Sequence, residues 1–283
     1  MAQRSIDVRP MAGSLGAEIA GVDVTALDDA GLAQLRAALV AHAVVVLRDQ
    51  KLSHATLLAF ARRLGTPEVH PIANGMPDHP ELIRVLKPAG QRAFFGTSWH
   101  SDNSFFARPT AFTVLYGETI PPVGGDTVFA SMEKAYETLS APMRRFIDPL
   151  QAVHSAASAY DPRTTGDAKY KGDAPITYTY SDEIYEEVVH PIVRTHAESG
   201  KRSLYVNPMF TQRIVGLEAH ESRALLDMLF AHAVRPEFTA RVRWTPGTLT
   251  LWDNRNVQHY AIDDYEGFER VMYRVTLEGE RPA

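Results

Sequence analysis

The chain contains no cysteine. That excludes disulfide staples, thiolate metal sites and a cysteine nucleophile, so any metal must be held through nitrogen and oxygen. Positive charge is not in excess either. Lysine and arginine number 29 against 34 aspartates and glutamates, a net charge of −5. Nothing electrostatic therefore favours nucleic acid or an anionic membrane as a partner. No apolar run approaches the length of a membrane span. The opening MAQRSIDVRPMAGSLG lacks the apolar centre of a signal peptide, so a cytoplasmic location is expected. There is no internal repeat, low-complexity segment or long charge run. Glycine-rich nucleotide-binding spacings are absent. So is the regular strand–helix alternation of a doubly wound parallel sheet.

What is present suits one domain spanning 1–283. The 283 residues are 45% hydrophobic, ample for a substantial core. LGAEIAGVDV (15–24) reads as a strand pair with glycine turns. Leu32, Leu35, Leu39 and Val40 recur at helical spacing within 28–42, behind acidic residues suited to a helix start. VVVLR (44–48) reads as a buried strand. Ser53 can cap a helix carrying Leu57, Leu58, Phe60, Ala61 and Leu64, with Gly65 stopping it. Further strands are expected at 81–86, 111–117, 126–130, 203–207, 241–244, 248–252 and 270–277. Helices are expected at 131–139, 141–148 and 218–232. The segments 66–98 and 155–187 are long and irregular, as lids or inserts are. The expected fold is mostly β with flanking helices, an antiparallel double-sheet roll.

Four stretches could carry chemistry. In WHSDNSF (99–105), His100 and Asp102 would share one face of an extended strand and offer a nitrogen and a carboxylate oxygen together. The plainer reading is a satisfied polar pair at a strand end. In TLTLWDNRNVQHYAIDDY (248–265), a strand is followed by a turn cluster and then His259. A third ligand from a distant segment is what a two-histidine, one-carboxylate iron site needs. A histidine stacked in the core beside Tyr260 is the alternative, and nine other histidines compete. In ERVMYRVTLEG (269–279), Val271, Tyr273 and Val275 form an apolar strand face, while Arg270, Met272 and Arg274 take the other. Four residues of strand separate the arginines by about 13 Å. Arginine forks fit carboxylate and sulfonate oxygens, although two surface arginines would look the same. In PPVGGDTVFASM (121–132), Gly124 and Gly125 make a turn and Thr127 opens a strand near it, which alone is only a hairpin.

Together these stretches resemble the taurine dioxygenase (TauD/TfdA) family of Fe(II)- and 2-oxoglutarate-dependent dioxygenases. The resemblance runs through LGAEIAGVDV, WHSDNSF, GGDTVFASM, HPIVRTH, LYVNPMFTQRIVG, LWDNRNVQHYAIDDY and RVMYRVTLEG, almost the whole chain in the family's order. It implies a double-stranded β-helix (jelly-roll) core. It implies that His100, Asp102 and His259 hold Fe(II), and that Arg270 and Thr127 hold the far carboxylate of 2-oxoglutarate. O2 would be the oxidant, with succinate and CO2 as coproducts. The sulfonate-binding histidine and arginine of taurine-type enzymes correspond to His70 and Arg274. Phe210 and Ser158 match pocket residues. Ala73, Gly96 and Ala159 stand where a tyrosine, an asparagine and a second phenylalanine line the taurine pocket.

The resemblance thus implies a retained anion end and a widened, less polar amine end. The expected substrate is a small organic anion, most simply an organosulfonate split to sulfite and an aldehyde. An alkyl sulfate ester, a phenoxyalkanoate, or an amino acid or biosynthetic intermediate is the alternative. A zinc hydrolase would use the same three ligands but leaves Arg270 and Thr127 unexplained. A non-catalytic binding protein on the same fold leaves the intact ligand set unexplained. A homodimer or higher oligomer is expected by family habit. TYTYSDEIY (177–185) reads as a lid or a subunit contact.

Overall fold

The computed structural model describes residues 6–90, 96–165, 176 and 178–283. Four consecutive buried residues, Val44–Leu47, form strand β3. An unbroken apolar run at this length is what a strand covered on both faces requires. β3 lies inside a seven-stranded sheet. It is preceded by β1 (Asp7–Pro10), β2 (Ala17–Ala20) and helix α1 (Asp29–His42). After it come α2 (His54–Leu64), β4 (Ile83–Lys87), β5 (Phe112–Thr119) and β6 (Thr127–Ser131). Then follow α3 (Met132–Glu137), α4 (Ala141–Ile147), β7 (Gln151–His154), α5 (Ala157–Tyr160) and α6 (Pro162–Thr165). The chain continues through β8 (Val188–Pro191), β9 (Val193–Thr195), β10 (Arg202–Leu204), β11 (Thr211–Ile214) and α7 (Ala219–Ala233). β12 (Thr239–Val242), β13 (Leu249–Asp253), β14 (Val257–Ala261) and β15 (Arg270–Leu277) complete it.

The large sheet has the order β1-β2-β3-β13-β5-β15-β4, and a three-stranded sheet has the order β12-β6-β14. Neighbours in both are antiparallel except β2 and β3. Strand alternation sorts β15 cleanly. Val271, Tyr273 and Val275 join Leu35, Leu39, Leu57 and Phe60 in a core between the large sheet and helices α1 and α2. Met272 points the other way, to a second core with Phe129, Val242, Trp252 and Val257 between the two sheets. A third core lies under α3 and α7. The helix caps follow the sequence: Asp28 accepts from the Gly31 N–H, and Ser53 and Thr56 form a reciprocal capping box.

Some expectations need correction. The 15–24 stretch is not a strand pair; β2 pairs instead with the upstream β1. The short strands β7, β8, β9 and β11 lie in segments whose patterning is too brief to register. His100 and Asp102 are not on a regular strand. His100 makes a single bridge to His259, and a turn starts at Asp102. Of the two expected lid segments, 91–95, 166–175 and 177 lie outside the described residues. The rest of 66–98 holds β4, and the rest of 155–187 holds α5, α6 and a short 3-10 turn. Among the described residues, no helix is long and apolar enough to cross a membrane.

Candidate metal centre and anion pocket

His259 sits in the middle of β14, opposite Phe129 of β6. Its backbone exchanges two hydrogen bonds with His100, at 2.8 and 3.2 Å. That bridge brings two sequence-distant histidines side by side, with ring centroids 4.1 Å apart. The DNRN turn holds the third group. Asn254 Oδ1 accepts from the Asp102 N–H at 3.0 Å, and Ser101 Oγ donates to the Val257 carbonyl at 2.7 Å. Asn103 takes φ 55°, a left-handed conformation that asparagine tolerates, and turns the chain away after Asp102. The i, i+2 pair therefore converges through a bridge and a turn rather than through strand alternation.

His100, Asp102 and His259 are all buried, and each can offer one ligand atom within 4.8 Å of the others. Burial pushes both imidazoles toward the neutral form, His259 down to about 3. Burial alone would raise the Asp102 carboxyl, but Arg274, with Nη2 2.8 Å from Oδ1, and the Thr113 hydroxyl hold it well below the usual carboxylate range. His100 Nδ1 donates to the Ser98 carbonyl at 2.7 Å, which leaves the Nε2 lone pair facing Asp102. Thr113 Oγ1 donates to Asp102 Oδ2 at 2.6 Å and accepts from Asn254 Nδ2 at 2.9 Å. Two neutral imidazoles and one carboxylate, with outer hydrogen bonds orienting His100 and Asp102, fit a divalent first-row metal such as Fe(II).

One cavity joins this cluster to the cation side of β15. His100, His259, Gly96, Thr127, Arg270 and Arg274 all line it, with Lys87 and Tyr265. The arginines are 7% and 8% exposed, so the surface reading of this strand face is excluded. Arg270 Nη2 donates to the Gly125 carbonyl at 3.2 Å, while its buried Nε has no acceptor. Burial pushes the Arg270 guanidinium down. Gly124 and Gly125 have φ of 79° and 70°, which lets the turn bring that carbonyl to the guanidinium. Trp244 Nε1 donates to Thr127 Oγ1 at 3.0 Å, so the threonine's own proton is available to an acceptor in the cavity. A buried guanidinium with an orphaned donor beside a hydroxyl fits a carboxylate.

The structure places the other expected residues unevenly. Gly96 adopts φ 77° next to His100. Phe210 is 1% exposed and meets the His100 ring edge-on, with centroids 6.2 Å apart. Ala73 and Ala159 belong to the same apolar cluster as Phe210, Phe105 and Tyr160. His70 is buried and neutral, pushed down to about 4 by burial and by Arg274. Its Nδ1 accepts from the Ile72 and Ala73 N–H groups at 3.1 and 2.9 Å, so Nε2 carries the proton and donates to Asn103 Oδ1 at 3.0 Å. Ser158 stands apart from the cavity. It is exposed, and its hydroxyl donates to the Met209 carbonyl at 2.6 Å. Sequence reasoning missed Asn103, Thr113, Asn254 and Trp244, whose roles depend on tertiary partners. Asn103 and Asn254 were visible only as neighbours of Asp102 and within the turn cluster.

A family model described as taurine catabolism dioxygenase TauD, TfdA family matches residues 7–276. The chain belongs to the TauD/TfdA family. Among curated relatives of this family member, an alpha-ketoglutarate-dependent sulfate ester dioxygenase of Pseudomonas putida is 38% identical, over 98% of this chain and 91% of the relative. An alkylsulfatase of Acinetobacter baylyi is 33% identical, over 98% and 86%. A solved structure, a taurine dioxygenase from Burkholderia xenovorans, is 39% identical with a TM-score of 0.82, covering 99% of this chain and 93% of that one.

Proposed function

We propose that this TauD/TfdA protein is a 2-oxoglutarate-dependent dioxygenase that oxidises the carbon next to the sulfur group of a small organosulfonate or alkyl sulfate ester. The observation that carries this reading is the cavity that His100 and His259 of the buried three-residue cluster line together with Arg270 and Arg274. In this reading the three clustered side chains hold Fe(II). Arg270 and Thr127 receive the distal carboxylate of 2-oxoglutarate. The bound iron and cosubstrate together supply the oxygen activation.

The chain's own residues then bind, orient and exclude water. Arg274 already lies against Asp102, so an anion on its guanidinium is held beside the metal ligands. The His70 Nε2–H is a second donor, once the anion takes the place of Asn103 Oδ1. Phe210, edge-on to His100, and Ala73 of the same apolar cluster would bound the organic end, and Gly96 would leave it open near His100. The exposed Ser158 would act at the outer edge. Hydroxylation at the carbon bearing the sulfur group gives an adduct that collapses to an aldehyde. Sulfite leaves from a sulfonate, and sulfate leaves from a sulfate ester. The two relatives named for sulfate esters and alkyl sulfates favour the ester within this class. The residues described are read as one double-stranded β-helix domain of a cytoplasmic homo-oligomer.

Succinate formation across alkyl sulfates, alkyl and aryl sulfonates and taurine tests the substrate reading. The expected result is a kcat/KM for an alkyl sulfate or bulkier sulfonate at least about tenfold above taurine, worth about 1.4 kcal/mol in the transition state. Taurine turned over far better than every bulkier anion would overturn it.

A further inference from the structure

Two consecutive glycines in the left-handed region, Gly124 with φ 79° and Gly125 with φ 70°, make a turn with little stiffness of its own. Yet this turn carries two parts of the cosubstrate end of the cavity. The Gly125 carbonyl accepts from Arg270 Nη2 at 3.2 Å, and Thr127, two residues on, lines the cavity. What fixes the turn comes from the loop between β14 and β15. Asp264 Oδ1 accepts from the Gly125 N–H at 2.7 Å, and its Oδ2 faces Arg241 Nη2 at 3.8 Å. Arg241 Nε in turn donates to Oδ2 of Asp126, the residue between Gly125 and Thr127, at 2.6 Å. The fit is close. A Cβ on Gly124 would come within 2.5 Å of the Asp264 carbonyl oxygen and 2.6 Å of its Oδ1.

Gly125 is thus gripped on both sides. Its N–H goes to the Asp264 carboxylate and its carbonyl to the Arg270 guanidinium, so Asp264 acts on the arginine through one residue of backbone. A carboxylate acceptor makes this hydrogen bond one of the stronger kind, which a turn of two glycines needs. We propose that Asp264 is a positioning residue of the cosubstrate pocket: it fixes the Gly124–Gly125 turn, and through the Gly125 carbonyl it sets Arg270 for the distal carboxylate of 2-oxoglutarate. This rests on the reading of the cavity as the 2-oxoglutarate site. The competing reading is that Asp264 only closes the loop that brings Tyr265 to the cavity. That role would weaken every oxo acid alike. A purely electrostatic role has the opposite sign, since removing a carboxylate near the pocket would tighten an anion.

The test is calorimetric binding of 2-oxoglutarate and of 2-oxovalerate, which carries a methyl group in place of the distal carboxylate. Wild type, Asp264→Ala, Asp264→Asn and Gly124→Ala are compared, all loaded with Mn(II) so that no turnover occurs. Asp264→Ala should weaken 2-oxoglutarate about fivefold or more, the loss expected for one charge-assisted hydrogen bond, and change 2-oxovalerate by less than about twofold. Asp264→Asn keeps the acceptor and should restore most of the difference. Gly124→Ala breaks the same contact from the other side and should repeat the selective loss; it also serves if Asp264→Ala does not fold. Equal loss for both oxo acids, no loss for either, tighter 2-oxoglutarate in Asp264→Ala, or an asparagine variant as weak as the alanine one overturns the proposal. A wild-type protein that does not bind 2-oxoglutarate at all overturns the cosubstrate reading beneath it.

Discussion

Arg274 Nη2 lies 2.8 Å from Asp102 Oδ1, the same oxygen that faces His100 Nε2 at 3.6 Å and His259 Nε2 at 3.8 Å. One carboxylate oxygen is therefore shared between a guanidinium and the two imidazoles of the metal cluster. In the proposed reading, Arg274 and the metal would act on the same carboxylate oxygen. If Arg274 receives the substrate anion and the three clustered side chains hold the metal, that atom would couple the two.

Removing the guanidinium separates the two roles. Arg274→Met should raise KM for the anionic substrate at least about tenfold, since a charge-assisted contact is lost. The same variant should bind Mn(II) several-fold more tightly, because a competing positive charge leaves Asp102 Oδ1. Metal titration by calorimetry and steady-state kinetics measure the two effects. Metal affinity unchanged or weaker in the variant would show that the shared oxygen does not couple them.

Thr113 supports the centre from outside. Its hydroxyl donates to Asp102 Oδ2 and accepts from Asn254 in a fully buried chain. Thr113→Val keeps the shape and removes the hydrogen bond, leaving Asp102 Oδ2 short of a donor. A loss of about 1–3 kcal/mol in unfolding free energy is expected. Metal affinity should fall roughly 10- to 100-fold, as when an outer hydrogen bond to a ligand is removed. Urea melts of the metal-free protein and Mn(II) titration check these separately.

Much of this was legible in the chain, and the boundary has physical causes. The β15 alternation assigned Arg270 and Arg274 to one face and Val271, Tyr273 and Val275 to the other, as the cores show. Cap residues and apolar spacing located α1, α2 and α7 to within a residue or so. The ligand residues were readable because the family pattern spans the chain. Their geometry was not. His100 and Asp102 meet through a bridge to His259 and a left-handed Asn103, and both depend on contacts distant in sequence. Lys87 was invisible for the same reason. A lysine ending a short strand reads as a surface residue until the register sets it against Arg270.

Acid should destabilise the fold through a histidine pair that does not line the cavity. His154 and His190 lie next to each other on β7 and β8, ring centroids 5.3 Å apart. Burial pushes His154 down to about 3 and His190 down to about 4. Their folded values lie below the ordinary value of 6.5, so the unfolded chain binds more protons below neutral pH. Their contribution is complete above about pH 6.5 and is lost progressively as the pH falls toward 4, at up to about 1.4 kcal/mol per pH unit for each group. His190→Gln retains a donor for the Phe106 carbonyl that His190 Nε2 meets at 2.9 Å. Urea midpoints between pH 7.5 and 5 should fall more shallowly in this variant than in wild type. Parallel slopes would assign the acid sensitivity elsewhere.

Phe210 should set the size of the organic group. Its ring packs against His100 and, with centroids 4.9 Å apart, against Phe105. Phe210→Ala opens space beside the metal cluster at a stability cost of about 3–5 kcal/mol. Relative kcat/KM should shift toward longer alkyl sulfates over short ones by roughly tenfold, the discrimination typical of one or two methylenes. A competition assay with mixed chain lengths reads the shift, and an unchanged preference would place the organic group away from Phe210.

The most direct test of the central claim is a stoichiometry. Purified protein is supplied with Fe(II), 2-oxoglutarate, O2 and the best alkyl sulfate or sulfonate, and succinate and released sulfate or sulfite are counted together. The dioxygenase reading predicts one succinate per sulfur anion, an aldehyde product, and loss of both in His100→Ala. Sulfur anion released without consumption of 2-oxoglutarate, giving an alcohol in place of the aldehyde, would contradict it and make the centre hydrolytic.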